Sequence, residues 1–306
     1  MNRLGPEEIK NQIKILKEQN NAIILAHNYQ LGEVQDIADF VGDSLELSIK
    51  ASNTDADIIL CCGVTFMAET AYILSPDKTV LLPAIESGCP MADMAEAEDL
   101  IKMKEKYPNA LVVTYVNSSA KVKALSDVCV TSANAKKIVA QLPKDKEILF
   151  VPDKNLGAYV QRETGRPMIL WQGFCPTHMR ITPEDILKRK KEFPNAAVIV
   201  HPEARLDVID LADQALSTGG MLRYAKETDK QQIIVATENG IIYRLAKENP
   251  NKQFIPVSEQ AVCPTMKLHR IEDVLNSLKN LTHKITVPED IREKAFHPIN
   301  KMLKMS

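Results

Sequence analysis

The sequence predicts an α/β protein made of three small parallel-sheet αβα units, related by a pseudo-threefold axis and packed around a central cavity. Two observations predict it. The stretch 21–47 occurs three times, recurring from Asn109 and from Asn195; each copy runs Asn-Ala, an apolar β-branched strand, a polar tip, a helix-patterned segment and a hydroxyl residue. With His27, Tyr115 and His201 as strand tips, an Asp follows twelve residues on (Asp39, Asp127, Asp213) and a hydroxyl seventeen on (Ser44, Ser132, Thr218, the last beside Ser217). The second observation is that short continuous apolar runs alternate with helix patterns, as buried parallel strands in βαβ units do.

Taken in order, residues 1–20 read as an amphipathic helix without the apolar centre of a signal peptide. Each repeat, about 87 residues long, opens on an acidic helix start: Pro6-Glu7-Glu8, Glu98-Asp99 and Pro183-Glu184-Asp185. Proline and carboxylates in a first turn suit its geometry and its partial positive charge. Basic residues follow, and Pro108 and Pro194 mark helix stops. The tip strand and its helical segment come next, then a second strand (57–62, 147–151, 232–236), a helix (near 66–74, 156–164, 241–249) and a third strand running into a cysteine. The repeats divide the chain at 1–94, 95–181 and 182–306, the last including a helical C-terminal return that covers a surface.

Hydrophobic residues make up 45% and charged residues 25% of the 306, with a net charge of -2 and no basic block, which disfavours nucleic-acid and membrane-surface binding. No apolar run approaches the roughly 18 residues needed to span a bilayer. The chain is therefore expected in the cytoplasm, where its six cysteines stay reduced and serve as ligands or core residues rather than disulfides.

A parallel α/β sheet places ligands beyond the carboxyl ends of its strands. The three tips sit there, and so do Cys89, Cys175 and Cys263, which lie 86 and 88 residues apart, each followed by proline. The proline stiffens the turn and removes a backbone donor, as suits a metal ligand. Cys61, Cys62 and Cys129 lie in apolar runs and read as packing. Three thiolates on a threefold axis can hold zinc or an iron–sulfur cluster; with three cysteines one iron of a [4Fe–4S] cluster stays open, which favours dehydration over electron transfer. The hydroxyls Ser44, Ser132, Ser217 and Thr218 suit a carboxylate or phosphate at a helix start, or simply cap the helix. His27 and His201 suit an anionic substrate, Tyr29 and Glu203 form an acid/base pair, and His178, three residues after Cys175, either reaches a metal-bound ligand or caps a helix. Asp39, Asp127 and Asp213 read as structural, capping or bridging between repeats.

The motifs AHNYQ, DIADFVGDSLEL, GVTFMAE, CPMAD, YVNS, TSANA, PDKNLGAYV, CPTH, HPEA, STGGM and AVCPTM occur in this order between about residue 21 and residue 266. Jointly they resemble the quinolinate synthase family of NAD biosynthesis. The resemblance implies a [4Fe–4S] cluster on Cys89, Cys175 and Cys263 between three domains, and condensation of iminoaspartate with dihydroxyacetone phosphate to quinolinate, losing phosphate and water. It implies acid/base roles for Tyr29 and Glu203, and a reaction cavity lined by Tyr115, Asn117 and His201. It further implies carboxylate and phosphate binding by His27, Ser44, Ser132, Ser217 and Thr218. The L-aspartate-oxidising enzyme that supplies iminoaspartate is the implied functional neighbour. Two positions depart from common members: Val257 and Gln260 stand where some carry extra cysteines, and Ala204 where many have one. Competing readings are an iron–sulfur electron carrier, which needs a fourth ligand and has no use for three polar tips, and a zinc hydrolase or lyase.

Overall fold

A computed structural model describes residues 4–306; residues 1–3 of the expected N-terminal helix lie outside the described residues. That helix runs Pro6–Gln19, with Pro6, Glu7 and Glu8 in its first turn.

Three sheets follow. The first holds β1 (Ala22–His27), β2 (Phe40–Gly42), β3 (Ile58–Cys62) and β4 (Thr79–Leu81). The second holds β5 (Leu111–Tyr115), β6 (Val128–Val130), β7 (Ile148–Val151) and β8 (Ile169–Leu170), and the third β9 (Ala197–Val200), β10 (Gln214–Ala215), β11 (Gln232–Ala236) and β12 (Gln253–Pro256). In each sheet the spatial order is fourth, third, first, second, with every one of these pairs parallel. The repeated sequence thus becomes a repeated topology.

Strand periodicity decides which core each residue joins. In β1, Ile23 and Leu25 enter a core shared by all three sheets, whereas Ile24 and Ala26 face outward onto Ile9 and Ile13 of the first helix and Val274 and Leu278 of helix Ile271–Asn280. In β5, Val113 and Tyr115 point inward, and Val112 packs outward with Leu100 of helix Ala97–Lys106. Covering both faces is why the strands read as continuous apolar runs; each fully buried Ile or Val contributes roughly 1.5–3 kcal/mol.

Between tip and hydroxyl the structure departs from the single helical segment expected there. A short helix (Gly32–Ile37, Ala120–Ala124, Leu206–Ile209) ends before the Asp, and β2, β6 or β10 begins after it as an edge strand. The cause is the Asp. The Asp39 N–H donates to Ile24 O (3.0 Å) while Asp39 Oδ2 accepts from Ile24 N–H (2.8 Å). Asp127 repeats the pair with Val112 (2.9 and 2.7 Å), and Asp213 with Val198 (2.9 and 2.7 Å). A carboxylate stands in for a ladder carbonyl and forces the chain out of the helix. These residues join two strands of one repeat, which corrects the alternatives of capping or bridging between repeats.

From residue 271 onward the chain packs back on the first two sheets. Strand β13 (Lys284–Ile285) adds antiparallel to β4, and helix Glu289–Met305 lies against β6 and the helices Thr65–Leu74 and Ala120–Ala124. Among the described residues no helix is long and apolar enough to cross a membrane.

Candidate active site

The carboxyl ends of β1, β5 and β9 open on one cavity. His27, Tyr115, His201, Ser44, Ser132 and Thr218 line it, so the tip and hydroxyl of every repeat meet there. Two residues past each tip stand Tyr29, Asn117 and Glu203, and these line it too. Gly42 ends β2 and Asp43 follows, so the first hydroxyl enters the cavity at the start of helix Ser44–Ser52.

The two histidine tips have the same local geometry. Tyr29 N–H donates to His27 Nδ1 (3.2 Å) and Glu203 N–H donates to His201 Nδ1 (3.3 Å), which leaves the proton of each neutral ring on Nε2. Burial holds His27 at about 4 and His201 at about 3, so both are neutral near pH 7. His201 Nε2 then donates to Ser132 Oγ at 3.1 Å.

Glu203 is the electrostatic centre. Tyr115 O–H donates to its Oε1 at 2.6 Å, and His178 Nδ1 lies 2.8 Å from Oε2. Burial pushes the carboxyl up, but His178, His201 and the hydrogen bonds from His178 and Tyr115 outweigh it and hold Glu203 well below the usual carboxylate range. Asn155 Nδ2 fixes the backbone carbonyl of Glu203 (3.1 Å). With Nδ1–H turned to Glu203, His178 Nε2 accepts from Thr237 O–H (2.8 Å), and Thr237 Oγ1 accepts from Tyr29 O–H (2.6 Å). A continuous hydrogen-bonded chain therefore joins Tyr29 to Glu203. Burial raises Tyr29 and Tyr115 well above the ordinary phenol value, so both keep their protons. Asn117 Oδ1 is buried at the cavity with no partner among the described residues, an acceptor left for a ligand.

Cys89, Cys175 and Cys263 also line the cavity, on loops five to eight residues past β4, β8 and β12 rather than at the strand ends. Each cysteine precedes a short helical turn (Ala92–Met94, Pro176–Met179 and Thr265–Lys267), and in the second Pro176 is the first residue of the turn. Because proline has no N–H, the next amides in the turn face sulfur, from Met91 and Ala92 for Cys89 and from His178 for Cys175. Burial still pushes the Cys89 thiol up to about 12 and that of Cys175 well above its ordinary value, so these thiols ionise only against a bound cation. Cys175 Sγ, His178 Nδ1 and a Glu203 oxygen lie within 4.8 Å of one another, a group able to hold a metal ion.

Some expected residues are engaged differently. Ser217 caps helix Thr218–Glu227 through Gly220 N–H (3.2 Å), and the lining residue of that pair is Thr218, whose Oγ1 accepts from Asn28 Nδ2 (2.9 Å). Asp43 rather than Ser44 caps its helix, accepting from the N–H groups of Leu45 and Glu46 (3.0 and 2.9 Å). Cys61, Cys62 and Cys129 are buried strand residues away from this cavity. Thr237 and Glu238 escaped the sequence reading, although they follow β11 and so occupy a carboxyl strand end like the tips.

Residues 11–304 match the family described as Quinolinate synthetase A protein. The chain is 57% identical over 300 residues to a protein of Dehalococcoides mccartyi named Quinolinate synthase, covering 98% of this chain and 99% of that one. It is 54% identical over 293 residues to one of Thermodesulfovibrio yellowstonii with the same name (95% and 96% covered), and 53% identical over 297 to one of Geotalea uraniireducens (97% of each). A solved structure of an E-1-hydroxy-2-methyl-but-2-enyl-4-diphosphate reductase from Plasmodium falciparum aligns with a TM-score of 0.36 at 12% identity over 89% of this chain and 93% of that one, too distant to inform on fold or chemistry. A family match spanning nearly the whole chain, and relatives above half identity over almost their full lengths, agree with the ordered motifs: the chain belongs to the quinolinate synthase family.

Proposed function

We propose that this chain condenses iminoaspartate with dihydroxyacetone phosphate to give quinolinate, with loss of phosphate and water, in the cytoplasm, using a [4Fe–4S] cluster held by Cys89, Cys175 and Cys263. One observation carries the reading: each repeat sends one Cys-Pro turn to the same cavity that holds the ionised Glu203 and the protonated Tyr29. The donor set fits the cluster, since each repeat contributes one thiol, Cys89 and Cys175 face backbone amides, Cys263 faces the Thr265 hydroxyl, and these three are the cavity's cysteines among the described residues. When bound, a cluster with three cysteine ligands supplies an iron that acts as a Lewis acid on a departing oxygen.

The protein's own groups account for the rest. The lining includes no Lys or Arg among the described residues, so the anionic groups of the substrates are met by neutral donors: Nε2–H of His27 and His201, the hydroxyls of Ser44, Ser132 and Thr218, and the N-terminus of helix Thr218–Glu227. Ser217 acts behind Thr218 by shaping its helix start. Glu203 is the general base, taking a proton on a carboxylate oxygen, and Tyr29 is the general acid, giving the phenol proton to a leaving hydroxyl. Thr237 and His178 connect the two in one hydrogen-bonded line, which holds the phenol and the carboxylate in fixed positions. Tyr115 holds Glu203 by its hydrogen bond, and Asn117 offers the cavity its free carbonyl. Enclosure by three repeats keeps water from the imine. Because iminoaspartate hydrolyses in water, an L-aspartate-oxidising enzyme is the functional neighbour.

A second reading, a single zinc ion on Cys175, His178 and Glu203, is favoured by their spacing but leaves Cys89 and Cys263 without a role. Iron, sulfide and zinc content and the visible absorbance of protein purified without oxygen separate the two. We expect about four irons per chain in wild type, fewer in Cys175→Ala, and quinolinate formation lost with the cluster. Zinc in wild type, or iron that survives the substitution unchanged, overturns the cluster reading.

A further inference from the structure

A group of residues outside the chemistry above meets at the seam between the first and third repeats. Glu238, just past β11, is fully buried. Its carboxylate accepts from Cys263 N–H (3.1 Å), Gly240 N–H (2.7 Å) and Lys267 Nζ (2.9 Å to Oε1, 3.1 Å to Oε2). Lys267 Nζ also donates to the backbone carbonyl of Tyr29. One ion pair thus grips the turn that carries Cys263 and the tip that carries Tyr29, on segments more than 200 residues apart. Gly240 closes the same seam. A Cβ there would stand 2.3 Å from Tyr29 O and 2.6 Å from Lys267 Nζ, so the third repeat approaches the first where only glycine fits. A carboxylate this deeply buried needs its ammonium partner, because removing one member leaves an uncompensated charge, relieved by protonation or by opening of the turn, and in either case the grip on the Tyr29 tip is lost.

We propose that Glu238 and Lys267 are positioning residues that lock the Cys263 turn and the Tyr29 tip into one unit, holding thiol and phenol at a fixed separation across the repeat seam. Neither residue reacts; both act through their neighbours. The proposal deepens the reading of Cys263 as ligand and Tyr29 as acid. Its test therefore includes one arm that does not depend on that reading.

Full-length Lys267→Met, Glu238→Gln and Gly240→Ala proteins are compared with wild type. Gly240→Ala removes no charge; its Cβ pushes against both the Tyr29 carbonyl and the Lys267 ammonium, so it disturbs the seam sterically with both charged groups still present. In the first arm, on cluster-loaded protein, kcat for quinolinate formation falls about tenfold or more in Lys267→Met and Gly240→Ala at unchanged iron content and with KM within about twofold, and Lys267→Arg recovers part of the loss. In the second arm, on metal-free protein, Cys263 is alkylated at least about threefold faster in Lys267→Met and Glu238→Gln, while Cys89, on the first repeat's own turn, keeps its wild-type rate. Wild-type kcat in both Lys267→Met and Gly240→Ala overturns the proposal, as does a wild-type alkylation rate of Cys263 in both Lys267→Met and Glu238→Gln. A wild type that forms no quinolinate removes the catalytic reading alone, and the alkylation arm then decides the positioning role by itself.

Discussion

The first and third repeats carry the same local device with opposite chemistry. Each carries, at or just past the end of its tip strand, a histidine whose Nδ1 accepts the backbone N–H two residues on, and each aims the side chain of that second residue into the cavity. In the first repeat that residue is Tyr29, a phenol that burial keeps protonated; in the third it is Glu203, a carboxylate kept ionised by His178 and by the hydrogen bonds from His178 and Tyr115. The second repeat breaks the pattern, with Tyr115 at the tip and Asn117 two residues on, and its tip donates to Glu203. The backbone repeat fixes where a group sits, and its neighbours decide whether it holds or takes a proton.

The comparison yields ordered expectations. Glu203→Gln removes the base and leaves one acceptor oxygen where Tyr115 and His178 use two, so with an intact cluster quinolinate formation is expected to fall about 10²–10⁴-fold. Tyr29→Phe leaves the Thr237 hydroxyl and the His178 ring in place, and the loss is expected to be smaller, about 10–10²-fold. A steady-state assay at matched iron content checks both. The reverse order would break the assignment of acid and base, and full activity in both would remove these residues from the chemistry.

The histidine tips offer a pH test. The folded state holds His27 near 4 against about 6.5 unfolded, so between these values the unfolded chain binds more protons. The contribution is fully present above pH 6.5 and is lost as pH falls toward 4, amounting to roughly 3 kcal/mol. Urea unfolding between pH 4 and 7 is expected to show a shallower pH dependence for His27→Gln than for wild type. An unchanged slope would mean that His27 is already protonated in the fold.

The smallest effects are expected where the repeats agree best. Asp127→Ala and Asp213→Ala each remove one partly exposed hydrogen bond across equivalent strand pairs, and each is expected to cost about 1 kcal/mol without changing kcat. Asp39→Ala should cost somewhat more, since it also loses the ion pair with Lys17. Thermal unfolding of the three variants checks this, and unequal losses at positions 127 and 213 would limit the equivalence of the repeats.

Much of this was legible in the chain. The repeat, the buried strands, the tips at carboxyl ends and the three Cys-Pro turns all follow from local pattern. The edge strands β2, β6 and β10 were not legible, because two or three residues carry no usable period and an Asp carboxylate completes their ladder. Nor could the capping roles of Asp43 and Ser217 be told from ligand binding, since the same oxygen serves either purpose until the helix start is placed.

By itself the sequence determined the fold class, the threefold plan and which residues stand at strand ends, because periodicity and spacing act over a few residues. Only the tertiary structure decided their chemistry. Tyr115 meets Glu203 across 88 residues of chain and Tyr29 meets Thr237 across 208, and these meetings settle which group is ionised. Burial and neighbouring dipoles set protonation, and both arise only when distant segments close on one cavity and exclude water.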